Sequence, residues 1–412
     1  MMPKRNTIGD RHTWEFKARF RRGAFGWKSA PAITRIRQAV AEIKKAARKD
    51  PLLAGEGAVA FLERISPALE HVDSSSGAIG TSVNSAMAQL VPVIASAPAD
   101  AKTRDLWLER LWDAYQADDI PYIESLGDSW GELCAAKDTA STWADRLIDI
   151  VKMAWSPDPD LRGFFKGTTN CLSALAKAER YDDVLSLLAL APHKMWHYRR
   201  YGVEALSVKG KTAEAIRYAE EGRGLNDSPV AIARACEEVL LSSGLVDEAY
   251  RRYGLVANQR GTYLATFRAV SKKYPHKAAS EILADLVQTT PGDEGKWFAA
   301  AKEAGLYDEA VALASCTPCD PKTLARAARD FAQKQPAFAA SAGLLAIHWL
   351  VQGYGYEITG ADVWEAYRST LAAADQLGST ADVKARIREM MLAEGGPGGS
   401  FVAKVLGGEL RV

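Results

Sequence analysis

Histidine and cysteine are scarce in this 412-residue chain: six of one and five of the other. The cysteines (Cys134, Cys171, Cys236, Cys316 and Cys319) are odd in number and mostly scattered through helical patterns, which points to a reducing compartment rather than a disulfide framework. Charge of one sign is lacking too. The 52 Lys/Arg and 51 Asp/Glu leave a formal net charge of +1, so no whole-molecule field recruits nucleic acid or an anionic membrane. No apolar stretch follows the charged N-terminus, as a secretory signal requires. No run reaches a bilayer crossing: Ala337 to Val351 is about five residues short and contains His348. Strand-type runs are missing between the helical patterns. These absences predict a cytoplasmic, all-helical protein with no membrane span.

What is present is an ordinary globular composition, 48% apolar and 25% charged, with charge unevenly placed. Residues 1–49 hold fourteen Lys/Arg against three acids; residues 105–149 hold eleven acids against three bases. In residues 1–30, a basic aromatic arm, Trp14, Phe16, Phe20, Phe25 and Trp27 interleave with Lys17, Arg19, Arg21 and Arg22. Its aromatic content predicts that it docks, with the acidic 105–149 segment as its internal partner. Residues 31–164 read as short helices, among them 52–72, 81–94, 105–115, 130–136 and 140–155, broken at Asp50-Pro51, Asp73 to Gly77 and Ala95 to Ala101. They suggest stacked hairpins in the style of HEAT repeats, without a clean period.

From about residue 165 a period emerges. Gly210 opens Gly-Lys-Thr-Ala-Glu-Ala-Ile, Gly244 opens Gly-Leu-Val-Asp-Glu-Ala-Tyr, and Gly305 opens Gly-Leu-Tyr-Asp-Glu-Ala-Val. Degenerate marks stand at Glu179, Pro275 and Pro336, which gives intervals of 30 to 34 residues. Glycine ends a helix in the left-handed conformation, an acid begins the next, and alanine allows a close crossing. The pattern resembles the tetratricopeptide repeat, most closely at Gly305, over roughly residues 165–352. The early tryptophan and Leu-Gly pair of that repeat are not consistently present. The whole chain is similar in type to bacterial proteins built from such repeats. The resemblance implies a right-handed α-solenoid of stacked helical hairpins with a concave binding face. Residues 353–394 read as capping helices, and residues 395–412 as a Gly-rich linker and an apolar tail that docks back on the chain.

Several motifs could carry chemistry. Gly127-Asp-Ser-Trp-Gly131 matches the G-x-S-x-G of hydrolases, but no buried strand precedes it and no histidine follows an Asp by three residues. We read Asp128 or Ser129 as a helix cap. Cys316-Thr-Pro-Cys319 is C-x-x-C without a second pair or a βαβ setting, and reads as an inert turn rather than a redox or zinc site. His193 and His197, four apart, lack the Glu of a zincin. Ser76 to Ser82 is glycine-rich before a helix but has no phosphate-loop lysine. The adjacent pairs Asp118-Asp119, Asp182-Asp183 and Glu237-Glu238 read as solvated faces or helix starts. No metal or cofactor is predicted.

Two stretches suggest binding. Trp196, His197, Arg199 and Arg200 lie in the first helix of a repeat, where aromatic and arginine anchors face a partner. The alternative puts Trp196 and Tyr201 in the core and the arginines in solvent. Arg19, Arg21, Arg22 and Trp27 of the arm could hold nucleic acid through phosphate contacts and stacking. The leading reading is a non-enzymatic scaffold binding another protein. The alternative is a nucleic-acid-binding solenoid, and a hydrolase at Ser129 or a thiol redox enzyme ranks behind both.

Overall fold

A computed structural model describes residues 12–222, 227–393 and 398–410, and among these there is no strand: the fold is all-α. Contacts divide the chain into two compact units, Met1–Ser228 and Pro229–Val412, and the division falls inside the 165–352 tract.

The first unit carries α1 (Glu15–Arg19), α2 (Ser29–Ala47), α3 (Pro51–Ala68), α4 (Ala78–Ser96), α5 (Ala101–Gln116), α6 (Trp130–Cys134), α7 (Lys137–Ala154), α8 (Thr168–Lys177), α9 (Tyr181–Ala189), α10 (Trp196–Val208) and α11 (Thr212–Glu220). Asp50 and Asp100 start α3 and α5 by accepting from Leu53 N and Thr103 N. Helix α3 packs against α1, α2, α4 and α5, and eleven of its residues are buried. Gly57 makes room for the arm: a Cβ there would lie 2.3 Å from the Trp14 ring. Trp14, Phe16 and Phe20 are consequently core residues, with Phe16 and Phe20 edge-on to Phe61. The arm docks as its aromatics predict; its residues before His12 lie outside the described ones.

The polar partners of the arm differ from expectation. Arg19 pairs with Glu15, Arg22 with Glu70, and Arg21 donates to Ala18 O. These partners lie within residues 15–70, not 105–149. The acids of 105–149 meet later cations instead: Glu109 with Arg146, Asp145 with Arg180 and Asp128 with Arg200. Charge complementarity between segments misled here, because α3 packs against both α1 and α5 and supplies the arm's neighbours.

The second unit carries α12 (Pro229–Ser242), α13 (Val246–Ala249), a π-turn over Tyr250–Gly254 leading into α14 (Leu255–Ala257), α15 (Tyr263–Lys273), α16 (Ala279–Gln288), α17 (Phe298–Glu303), α18 (Tyr307–Cys316), α19 (Pro321–Phe331), α20 (Pro336–Val351), α21 (Gly360–Gln376), α22 (Thr380–Ala393) and α23 (Gly399–Leu410). Helix α20 is apolar nearly all round and packs against α18, α19, α21, α22 and α23. The tail forms α23, which buries Val402, Leu406 and Leu410 and packs on α20 and α21. The linker residues 394–397 lie outside the described ones.

The turn has one geometry at four of its six marks, and Pro275, between α15 and α16, is not among them. Gly210, Gly244 and Gly305 have φ of 73°, 75° and 75°, and Glu179 takes the same left-handed conformation at 58°. Each is the hub of a Schellman motif. At Gly305, Leu306 N donates to Ala301 O and Gly305 N to Lys302 O, at 3.0 and 3.1 Å. The same pair of bonds recurs at 179, 210 and 244, and also at Gly378 between α21 and α22. The following helices start with acids in their first turn, and Ala215, Ala249 and Ala310 are fully buried. Pro336, which cannot adopt positive φ, instead occupies the first turn of α20.

One helix is longer than its sequence pattern. The apolar residues predict a third helix over 81–94; α4 runs 78–96 and by length and composition could cross a membrane. It is a core helix on one side, with Val83, Leu90 and Val91 buried.

Candidate functional site

Two polar regions of the first unit stand out, and they differ in how their charges are satisfied. The first joins the two sequence motifs. Arg200 Nη2 reaches Asp128 Oδ1 at 2.5 Å, and His197 Nε2 lies 3.6 Å from the same oxygen. Ser173 Oγ donates to Asp128 O, and Gly131 N donates to Ser173 Oγ. Thr169 Oγ1 sits 3.0 Å from His197 Nε2.

A Ser-His-Asp relay needs the carboxylate on one imidazole nitrogen and the nucleophile on the other. Here Asp128 and Thr169 both address Nε2, so the cluster has the parts of a relay without its wiring. The G-x-S-x-G match arises from packing. Gly127 ends a 3-10 turn, Glu124–Gly127, and a Cβ at Gly131 would lie 2.3 Å from Ser173 O where α6 crosses α8. Ser129 is the N-cap residue of α6, although its side chain makes no cap bond.

Arg199 is 7% exposed: its guanidinium stacks 3.6 Å from the Tyr218 ring centroid and donates to Tyr218 O. It is neither a partner-facing anchor nor a solvated charge, because α11 covers it. Tyr201 is buried, as the alternative reading had it, and burial pushes its hydroxyl up to about 12. Trp196 is half-buried, and His197 alone of the four predicted residues is exposed. Of the arm's predicted contacts, Arg19, Arg21 and Arg22 are exposed but engaged as described, and Trp27 is 72% exposed.

The remaining motifs resolve into structure. Cys316 ends α18 exposed while Cys319 is buried, and both are free thiols. Burial pushes Cys319 up to about 12, away from the thiolate that redox or metal chemistry uses. The Thr-Pro between them covers Gly295, whose N donates to Thr317 Oγ1 at 2.8 Å. His193 precedes α10, and no group of three or more His, Cys, Asp or Glu among the described residues could hold a metal. Two acids depart from the solvated reading. Asp118 is buried and accepts from Ser66 Oγ and Ile123 N. Glu237 is buried and accepts from Asn258 Nδ2 and Tyr274 Oη, both at 2.6 Å. Both tie together segments distant in sequence, which adjacency in the sequence does not reveal.

The second region is a groove of about 900 Å³ between α2 and α4. Lys44 Nζ donates to Gln89 Oε1, and Asp73 N donates to Trp27 O just before α4, so the two helices run side by side in the same direction. Ile33, Arg37, Val40 and Lys44 of α2 and Ala78, Ser82, Ser85 and Gln89 of α4 line the groove, both sets spaced four, three and four residues apart, and the Lys44–Gln89 hydrogen bond ties the two walls together. Arg37, Lys44, Lys45 and Arg48 line the α2 wall, and no acid lines the groove. Arg37, Lys45 and Arg48 have no ion-pair partner among the described residues. Lys44 meets only a neutral amide. The one acid of α2, Glu42, turns to α1 and accepts from Glu15 N and Phe16 N at 2.8 and 3.3 Å. The sequence analysis missed this face; the 4-3-4 spacing of Arg37, Ala41, Lys44 and Arg48 is the signal that could have found it, whereas nothing in the sequence pairs it with α4. No protein-family model matches the chain, and no curated protein matches it either.

Proposed function

We propose that the protein is a non-enzymatic helical-repeat scaffold, a right-handed α-solenoid that binds another protein through its concave face in the cytoplasm. The observation that carries this reading is the recurrent Schellman turn at 179, 210, 244 and 305. One turn geometry recurring after 31 and 34 residues, and again after 61, about two repeats, favours a serial stack in which each helix meets its sequence neighbours. Helix α10 packs against α8, α9 and α11, in keeping with such a stack. The candidate nucleophiles support a scaffold rather than an enzyme: Ser129 starts a helix at a packed crossing, and Cys319 is a buried thiol.

Small-angle scattering tests the architecture. A compact 412-residue globule has a radius of gyration of about 22 Å, and a solenoid exceeds it clearly. A value at or below that figure overturns the solenoid. Co-elution tests the binding role: the full chain, added to cell extract at near-physiological salt, is expected to shift to a stoichiometric complex with one protein. No complex, or one that nuclease treatment abolishes, overturns protein binding.

A further inference from the structure

Resting on that scaffold reading, we propose that the α2/α4 groove is the docking site for an acidic amphipathic helix of the partner protein. The argument is charge complementarity combined with shape. The groove extends along α2 from Ile33 to its C-cap Arg48, fifteen residue steps, or roughly 22 Å at 1.5 Å per residue. That length seats about four turns of a third helix. Ile36, Val40 and Ala86 beneath the groove are buried by the packing of α2 on α4; the apolar surface left open is that of Ile33, Ala41 and Ala78 with the methylene stems of the cations, and it accepts a narrow apolar stripe of an amphipathic helix laid between two parallel ones. One rim is cationic and the other carries Thr81, Ser82 and Gln89 without any charge. A ligand helix with leucines inward and glutamates toward α2 satisfies all three surfaces.

A basic helix is repelled by the four cations of the α2 wall. Nucleic acid fits less well. Single strands bind on aromatic platforms, and no aromatic residue lines this groove. A duplex presents phosphates and sugars, for which the apolar floor provides no counterpart. The cations are also uncommitted. Exposed ion pairs elsewhere on the unit, such as Arg146 with Glu109, show that this surface pairs its charges where acids are at hand.

Fluorescence anisotropy on the full chain tests the proposal. The probe is a labelled 18-residue peptide with leucines at helical i, i+3, i+4 and i+7 positions and glutamates elsewhere. Comparators are its scrambled isomer, a 20-base-pair DNA duplex and a 20-nucleotide RNA. Saturable binding of the amphipathic peptide is expected, weaker at higher salt, with the scramble at least tenfold weaker. Lys44→Glu with Arg48→Glu should weaken it at least tenfold; Ala41→Trp, which fills the floor without altering charge, should weaken it at least fivefold. Circular dichroism melts confirm that both variants are folded. Hydrogen exchange should show protection by the peptide in α2 and α4. No saturable binding, equal binding of the scramble, indifference to both variants, or tighter binding of DNA or RNA with Ala41→Trp silent each overturns the proposal. If the double reversal leaves a stoichiometric complex from extract unchanged, the groove assignment falls while the scaffold reading stands. If the peptide binds as expected but no protein complex forms in extract, the scaffold reading falls alone.

Discussion

The junction around Asp128 and the groove between α2 and α4 are both rich in cations, yet one is closed and the other open. At the junction, Arg199 is stacked on Tyr218 beneath α11 and Arg200 is paired with Asp128. In the groove, Arg37, Lys45 and Arg48 point past a helix that carries no charged residue at all. A cluster of arginines in a sequence therefore says little about availability. What decides it is whether the fold brings an acid or an aromatic ring alongside, because an unpaired buried charge costs several kcal/mol and an unpaired surface charge costs almost nothing.

The contrast can be broken by mutation. Arg199→Glu places a carboxylate against Tyr218 O with no donor, and should cost about 3–5 kcal/mol in urea denaturation, the range for stranding a buried charge. Lys44→Glu or Arg48→Glu should stay within about 0.5 kcal/mol, as surface changes do. Equal costs at the two sites would erase the distinction. Next in size, Gly131→Ala drives a methyl into Ser173 O and should cost about 2–3 kcal/mol by overpacking, read as a lowered denaturation midpoint with unchanged slope.

The pH dependence sharpens the same comparison. Burial raises Tyr201 from 10.0 to about 12, so its contribution is fully present below pH 10 and is lost as pH rises through about 12. At about 1.4 kcal/mol per pH unit, two units make that contribution about 3 kcal/mol. Thermal melts of wild type and Tyr201→Phe should diverge only above pH 10, wild type falling faster. Parallel curves would mean that the hydroxyl is accessible.

The smallest effect concerns the turns. Glu179 holds the left-handed conformation that glycine holds at 210, 244 and 305, at a cost of about 1 kcal/mol for an L-residue. Its surface pair with Lys137 offsets less than that. Glu179→Gly should thus stabilise by about 0.5 kcal/mol, measured by chemical denaturation; a loss of stability would show that the pair outweighs the strain.

The repeat marks were legible because Schellman turns are local. Glycine, acid and alanine at fixed offsets each answer a constraint within a few residues, so Gly305 and Ala310 could be assigned before any packing was known. Helix α4 was legible as a helix but not in length, since Ala78, Gly80 and Ser96 carry no periodic signal. The two buried acids, Asp118 and Glu237, were misread because their partners lie 52 and 37 residues away at Ser66 and Tyr274.

The sequence by itself determined the all-α class, the turn positions and the docking of the arm, all consequences of periodicity, conformational preference and aromatic content. Only the tertiary structure decided which charges are spent and which are free. That depends on which helices become neighbours, and a chain of nearly balanced charge can pair Arg200 with Asp128 across 72 residues while leaving Arg37, eight residues from the start of α2, facing an uncharged wall.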